Sequence, residues 1–244
     1  MIFSRIIAIG SACRDFIIDL LFPAACLGCG RSGAWLCPAC RRGLRPADHD
    51  CPHCQRPEPN GQFCPACAPA FHFHGLWAAG DYSQPLMAQL IKSLKYHNIR
   101  ELADILADLM AEQAKEIAGR TDFYPNQAGR APLLVPVPLH PKRQRQRGFN
   151  QAELLAEKLR DKLAWSTDAS HLVRVQSAGA QAKLSGAARA KNLRGAFVWR
   201  GDGLAGQNII LVDDVATTGT TLNECAAVLK KAGAGEIWGL VAAK

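Results

Sequence analysis

The sequence predicts an α/β protein in which helices flank a parallel β-sheet and a small cysteine-rich module precedes it. Short apolar strands alternate with helical segments from position 75 onwards, as expected for a parallel sheet covered on both faces. Eight of the ten cysteines lie between positions 26 and 67, where large apolar residues are few. A chain of 244 residues with 48% hydrophobic residues is long enough for one sizeable core and one smaller unit.

The N-terminal segment, residues 1–22, has apolar residues at roughly helical spacing and predicts an amphipathic helix. Arg14, Asp15 and Asp19 interrupt the apolar run, so the segment resembles neither a signal peptide nor a membrane span. We therefore expect a cytoplasmic protein without an integral span. Peripheral contact with the inner face of the membrane stays open.

Residues 23–70 contain four Cys-x-x-Cys pairs, which predict a double zinc ribbon. Two thiolates from each of two tight turns complete a tetrahedral Zn²⁺ site, so four pairs predict two structural ions. A disulfide framework and an iron–sulfur cluster are the alternatives, and the expected compartment and the spacing disfavour them. We expect serial pairing, with interleaved pairing as the alternative, and we expect metal to replace a hydrophobic core. The expected ligands are Cys26, Cys29, Cys37, Cys40, Cys51, Cys54, Cys64 and Cys67.

Residues 75–244 predict the α/β domain. The expected strands are 75–82, 133–139, 171–175, 196–199, 208–214 and 236–243. The expected helices lie within 84–117, 150–163 and 218–232, and Gly233 is the expected stop of the last one. Ligands of such sheets bind at the carboxyl ends of the strands.

The segment Ile209–Thr221, IILVDDVATTGTT, carries the strongest chemical signal. Asp213 and Asp214 follow a buried strand, where paired carboxylates suit sugar hydroxyls or a Mg²⁺-bound ligand. Small residues then begin a helix, and its N-terminus with a permissive glycine forms a phosphate cradle. Threonines that merely cap the helix are the alternative, which leaves the paired carboxylates unexplained. The segment therefore predicts a site for a phosphorylated sugar.

A basic run follows the strand 133–139. Lys142, Arg143, Arg145 and Arg147 are expected in a loop, where they suit a pyrophosphate or a nucleic-acid backbone. The net charge of +8 also favours a polyanionic partner. A solvated basic surface is the alternative.

The segment 209–221 resembles the signature of type I phosphoribosyltransferases, which bind phosphoribosyl pyrophosphate (PRPP). The resemblance implies that Asp213 and Asp214 meet the ribose hydroxyls and that Mg²⁺ accompanies PRPP. It also implies that the 5′-phosphate is held by the residues of the following loop: Ala216, Thr217, Thr218, Gly219, Thr220 and Thr221.

The chain also resembles the ComF family of competence and DNA-utilisation proteins. The resemblance rests on VPVPLHPKRQRQRGFNQ (135–151), on 80–103 and on 174–197, where Ala178-Gly179 replaces the family's Thr-Pro. It implies a role in DNA uptake, with single-stranded DNA and competence or recombination proteins as partners. Arg189 joins Asp213 and Asp214 as an expected catalytic residue.

Two functions stay open at this stage. The first is a DNA-handling protein with a PRPP pocket, in which Trp77, Tyr96 and Phe149 could stack on bases. A core position is the alternative for each of these aromatic residues. The second is a nucleotide-salvage phosphoribosyltransferase that transfers ribose 5-phosphate to a base.

Overall fold

A computed structural model describes residues 24–118, 129–175, 193 and 195–244. They divide into two compact units, and the boundary between the units in the sequence lies between Leu44 and Arg45. The expected N-terminal helix and Arg189 lie outside the described residues. The division expected at residues 23–70 and 75–244 stays a prediction. Of the described helices, none combines the length and apolarity that crossing a bilayer requires.

The described part of the first unit is a ribbon with one short helix, α1 (Pro38–Arg42). Cys37 caps this helix, and Pro38 occupies its first turn, where a missing N–H has no cost. Gly30 and Gly33 adopt positive φ angles of 74° and 106° in the turns on either side of Ser32. The ribbon thus places one cysteine pair at a tight turn and the other at the start of α1.

The second unit contains a five-stranded, all-parallel sheet in the order β1-β7-β6-β2-β3. Its strands are β1 (Gly75–Gly80), β2 (Leu133–Pro136), β3 (Ser166–Thr167), β6 (Ile209–Val215) and β7 (Ile237–Ala243). Every residue of β7 is buried, as expected for a central strand covered on both faces. The α/β fold is therefore confirmed.

Four of the helices of the second unit match the expected segments in outline. The helical region expected within 84–117 is two helices, α2 (Pro85–Tyr96) and α3 (Leu102–Ala118). Asn150 caps α5 (Gln151–Leu163), because its side chain accepts a hydrogen bond from the Ala152 N–H at 3.1 Å. α6 (Thr220–Lys231) begins two residues later than expected, after Gly219.

The basic run was expected in a loop, and this expectation is wrong. Residues Pro141–Arg147 form a helix, α4. Pro141 occupies its first position, and the His140 ring accepts a hydrogen bond from the Lys142 N–H at 3.0 Å. Gly148 ends the helix with a φ of 79°. A proline at the start and a glycine past the end are typical helix boundaries, so the sequence did contain this signal.

The strands expected at 171–175 and 196–199 exist but lie outside the parallel sheet. β4 (Leu172–Arg174) and β5 (Phe197–Trp199) pair with each other in an antiparallel ribbon.

The second ribbon, residues 45–74, belongs to the same unit as the sheet. Phe63 and Phe73 are 6% and 3% exposed, and they join the core cluster that also contains residues of β2, β6 and α6. Phe63 stacks on Phe71 with ring centroids 4.1 Å apart. The expectation that metal replaces a hydrophobic core is therefore wrong for this ribbon, which shares the core of the α/β fold.

Candidate PRPP site and cysteine centres

A cavity of about 280 Å³ lies where β2 and β6 end. From β2 the chain continues to β3 on one side of the sheet, and from β6 it continues to β7 on the other. Neighbouring strands whose connections diverge in this way leave a crevice at their carboxyl ends. This crevice is the cavity.

The two carboxylates of β6 have different surroundings. Asp214 is 5% exposed, and its Oδ2 lies 2.9 Å from the Lys95 Nζ and 2.9 Å from the Gln151 Nε2. Asp213 is partly exposed and accepts a hydrogen bond from the Asp214 N–H at 2.8 Å. Burial, and next the charge of Asp214, raise the pKa of Asp213 to about 8. Asp214 is thus paired with Lys95, whereas Asp213 has no ion-pair partner among the described residues, and a bound cation would favour its ionised form.

Gln151 adds a further oxygen to the part of the cavity that contains Asp213. The residue is 4% exposed, and its Oε1 has no hydrogen-bond partner among the described residues. A buried amide oxygen without a partner is costly, so a ligand hydroxyl is the kind of group that would satisfy it. The family pattern contained Gln151, but it was not among the predicted site residues.

Residues 216–221 form a loop and the first turn of α6 beside these carboxylates. The N–H groups of Thr217, Thr218 and Gly219 donate no hydrogen bond to the part of the chain that the structure describes. Gly219 has a φ of 66°, and a Cβ built there would lie 3.3 Å from the Phe73 Cζ. The loop therefore presents free N–H donors at a helix N-terminus, which is an anion-binding arrangement. We call residues 216–221 the candidate phosphate loop. Ala216, Thr220 and Thr221 also line the cavity.

Helix α4 divides the predicted basic residues into two pairs. Arg143 and Arg147, four positions apart on one face of the helix, line the cavity. Lys142 and Arg145 do not line it, and both are exposed. The structure thus brings only half of the basic run to the candidate site.

Arg174 is a further cation of the cavity, at the end of β4. Its guanidinium lies 5.4 Å from the centre of the Phe197 ring, and its Nε has no hydrogen-bond partner among the described residues. Burial and the charge of Arg143 lower the pKa of Arg174. Arg174 falls in the expected strand 171–175 and in the family pattern 174–197, but nothing in the sequence indicates that this strand ends at the cavity.

Only one of the three aromatic side chains considered for stacking is well exposed. Tyr96 is 68% exposed at the edge of the cavity, and the Arg147 guanidinium lies 5.2 Å from its ring centre. Trp77 is 1% exposed, so it is a core residue and is not available for stacking. Phe149 is half-buried, with the Arg100 guanidinium 4.9 Å from its ring centre.

The eight cysteines form two four-cysteine groups, and within each group the Sγ atoms lie within 4.8 Å of one another. The members are Cys26, Cys29, Cys37 and Cys40 in one group, and Cys51, Cys54, Cys64 and Cys67 in the other. In each group, one pair of Sγ atoms is 3.7 Å apart. Zn–S bonds of 2.3 Å in a tetrahedron require about 3.8 Å, so both groups fit Zn²⁺. The grouping is serial and not interleaved.

Comparison with known proteins agrees with this architecture. Residues 17–68 match the model of the double zinc ribbon domain, and residues 147–242 match that of the phosphoribosyl transferase domain. The DNA utilization protein YhgH of Salmonella typhi is 32% identical over 210 residues, which cover 83% of this chain and 88% of the relative. Competence protein F of Haemophilus influenzae is 32% identical over 228 residues, with 85% and 96% covered. This chain belongs to the ComF family.

A more distant relative, competence protein ComFC of Bacillus subtilis, is 29% identical over 211 residues, which cover 81% of this chain and 79% of the relative.

In this ComF-family chain, the second ribbon contacts the segment that follows the paired carboxylates. The His72 N–H donates to the Asn223 Oδ1 of α6 at 2.7 Å, and Phe73 lies beside Gly219. The second cysteine centre and the candidate phosphate loop are therefore parts of one packed structure.

Proposed function

We propose that this ComF-family protein binds PRPP with Mg²⁺ in the cavity and contacts single-stranded DNA through the adjoining basic surface. The distribution of charge in the cavity is the main support. Asp213 and the Gln151 Oε1 form an acceptor-rich end, while Arg143, Arg147 and Arg174 form a cationic end. PRPP has the matching polarity, with hydroxyls on its ribose and phosphates on both sides of it.

The chain's own groups suggest how PRPP lies. Asp213 and Gln151 accept hydrogen bonds from the ribose hydroxyls, and the N–H groups of residues 217–219 donate to the 5′-phosphate. Arg143 and Arg174 hold the pyrophosphate. Lys95 and Asp214 support this placement without contacting PRPP, because their ion pair positions the Gln151 amide and the end of β6.

The oxygens at the acceptor-rich end fit Mg²⁺, which binds through one or two carboxylates together with phosphate oxygens. Asp213 and the pyrophosphate of PRPP would hold the ion, which would offset the charge of the leaving group. No described side chain is placed as a nucleophile. If transfer occurs, the protein contributes by positioning and electrostatics, and Arg189 is proposed to assist it.

The proposed DNA contact rests on Lys142 and Arg145. They have no ion-pair partner among the described residues, are exposed, and do not line the cavity. Tyr96 lies at the edge of the cavity and could stack on a base. The names of the relatives, DNA utilization protein and competence protein, also support a role with DNA.

Two matched double variants test both parts of the proposal. Arg143→Gln/Arg147→Gln should weaken PRPP binding by about 1–3 kcal/mol in calorimetry, because charge-assisted hydrogen bonds are lost. Lys142→Gln/Arg145→Gln removes the same charge from the same helix and should leave PRPP affinity unchanged. For single-stranded DNA, this second pair should lower the slope of log affinity against log salt by about 1.4, or 0.7 for each lost phosphate contact.

The salvage phosphoribosyltransferase is the second candidate, because the cavity keeps both its acidic and its cationic groups. Absence of DNA binding at moderate salt, together with PRPP-dependent consumption of a nucleobase, would favour it. Equal PRPP affinity of the wild type and the Arg143→Gln/Arg147→Gln variant would reject the placement of PRPP for both candidates.

A further inference from the structure

The second ribbon holds the candidate phosphate loop through two adjacent residues. The Phe73 ring lies against Gly219, so closely that a Cβ added to Gly219 would be 3.3 Å from the Phe73 Cζ. The His72 N–H donates to the Asn223 Oδ1 at 2.7 Å, and the Asn223 N–H donates to the Gly219 carbonyl at 2.8 Å. Ring packing and a chain of two hydrogen bonds therefore both lead to Gly219, the residue before α6 begins.

Phe73 belongs to a cluster of three phenylalanine rings in the second ribbon. Phe63 stacks on Phe71 with ring centroids 4.1 Å apart, and Phe73 meets Phe63 edge-on at 4.9 Å. Phe71 and Phe73 also meet edge-on, at 5.9 Å. Stacked and edge-to-face contacts at these distances are favourable. Because closely packed interiors transmit strain, displacement of one ring would displace the others.

The cysteine turns of the second centre are attached to this ring cluster. Cys64 directly follows Phe63 in the sequence. A single 3₁₀ turn separates Cys67 from Phe71. On the other cysteine turn, His53 packs its ring on Phe71, with ring centroids 5.3 Å apart. Both turns that would hold the zinc ion therefore contact the ring cluster.

Zinc would tie these two turns to each other, because two thiolates from each turn bind one ion. Loss of the ion would release the turns that position His53 and Phe71 and, through the ring cluster, would release Phe73. Contiguous packed side chains of this kind can carry coupling between two sites. The first cysteine centre belongs to the other unit and contributes no residue to this path.

We infer that zinc in the second cysteine centre and a phosphorylated ligand on the candidate phosphate loop bind cooperatively, with Phe73 and Asn223 as the positioning residues that connect them. The inference rests on the proposed function, because the ligand is PRPP. Coupling between two binding sites is reciprocal, so zinc should raise the affinity for PRPP by the same factor by which PRPP raises the affinity for zinc. The second centre is thereby a regulatory site as well as a structural one, since a chain that loses this ion loses affinity for its ligand.

The test is a zinc titration of the full-length protein against a chelator that binds Zn²⁺ but not Mg²⁺, with and without saturating PRPP and Mg²⁺. Cys29→Ser, which should retain only the second ion, identifies the step that belongs to the second centre. PRPP should raise the zinc affinity of this centre at least about fivefold, the lower end of typical allosteric coupling, and leave the first centre unchanged. An unchanged second centre in a protein that binds PRPP, or an equal change at both centres, would overturn the inference.

Substitutions at the two positioning residues test the route of the coupling. Asn223→Ala removes the acceptor of the His72 N–H, and Phe73→Leu keeps an apolar side chain but removes the ring beside Gly219. Both variants should bind two zinc ions and show a smaller coupling factor. Glu224→Gln is the matched control, because it changes the next residue of α6, which does not line the cavity, and it should keep the wild-type factor. A wild-type factor in both Asn223→Ala and Phe73→Leu would show that this route is wrong.

Hydrogen exchange at residues 216–221 separates this inference from the proposed function, because it requires no PRPP. In Cys29→Ser, removal of the remaining zinc ion should accelerate exchange in this loop, and return of zinc should restore the slower rate. Exchange that ignores zinc overturns the inference even if PRPP binds. If PRPP does not bind while exchange follows zinc, the proposed function is wrong, but the coupling of the loop to the zinc centre stands.

Discussion

Loss of the second zinc centre should destabilise the α/β fold, whereas loss of the first should not. Cys54 and Cys29 are matched positions, because each is the exposed second cysteine of the first turn in its own group. Cys54→Ser and Cys29→Ser should each remove one ion. Only Cys54 belongs to the ribbon whose Phe63 and Phe73 lie in the core of the second unit.

The magnitude follows from those two side chains. Burial of a Phe side chain contributes about 1.5–3 kcal/mol, so release of both would cost about 3–6 kcal/mol. This is a large part of the 5–15 kcal/mol by which a typical domain is stable. The loop at residues 216–221 should also become more mobile, because Phe73 lies beside Gly219 and the His72 N–H donates to the Asn223 side chain.

Urea unfolding and hydrogen exchange of peptides from β6 and α6 would measure the effect, with zinc content determined by elemental analysis. Cys54→Ser should unfold at lower urea and exchange faster in those peptides, while Cys29→Ser should match the wild type in both. Equal stability of the two variants, each with one ion, would refute the shared core. Absence of zinc from the wild type would refute the metal assignment.

Three further predictions concern the loop and its supports. Lys95→Met leaves the buried Asp214 carboxylate without its cation and should lower the unfolding free energy by about 3–5 kcal/mol, whereas Lys95→Met/Asp214→Asn should recover much of the loss in a double-mutant cycle. Burial raises the pKa of Asp213 from an ordinary 3.8 to about 8, so between these pH values the folded state binds more protons than the unfolded chain. The stability of the ligand-free wild type should therefore fall with rising pH relative to that of Asp213→Asn. A pH-independent difference between the two proteins in urea unfolding would exclude this effect. Gly219→Ala forces a side chain into the left-handed region and towards Phe73, and should cost about 1–2 kcal/mol of stability and weaken PRPP binding; unchanged affinity would show that the loop tolerates another backbone geometry.

Local sequence patterns were sufficient to predict β6 and the two cysteine groups, because the structure of these segments depends mainly on residues close in sequence. β6 could be predicted because its buried residues form a continuous apolar run that ends at Asp213. The serial cysteine groups could be predicted because each pair of turns needs only a short connection. The helix formed by the basic run was also predictable from Pro141 and Gly148, but a run of charged residues after a strand is equally typical of a loop.

Contacts between distant positions could not be predicted in the same way. Lys95 and Asp214 are far apart in sequence, so their ion pair is visible only in the folded chain. The antiparallel pairing of β4 with β5, which brings Arg174 to the cavity, likewise depends on long-range contacts. The packing of Phe73 beside Gly219 joins the second ribbon to the phosphate loop, and no local pattern indicates it.

If PRPP binds as proposed, one ligand spans the acceptor-rich and the cationic ends of the cavity where β2 and β6 end. Calorimetry with Mg²⁺ should compare PRPP with ribose 5-phosphate and with pyrophosphate, which are its two halves. PRPP should bind more tightly than either half, each half should displace PRPP, and Asp213→Asn should weaken the binding of ribose 5-phosphate. If ribose 5-phosphate does not bind, or if Asp213→Asn leaves its affinity unchanged, the acceptor-rich end of the cavity does not hold a ribose and the proposed placement of PRPP is wrong.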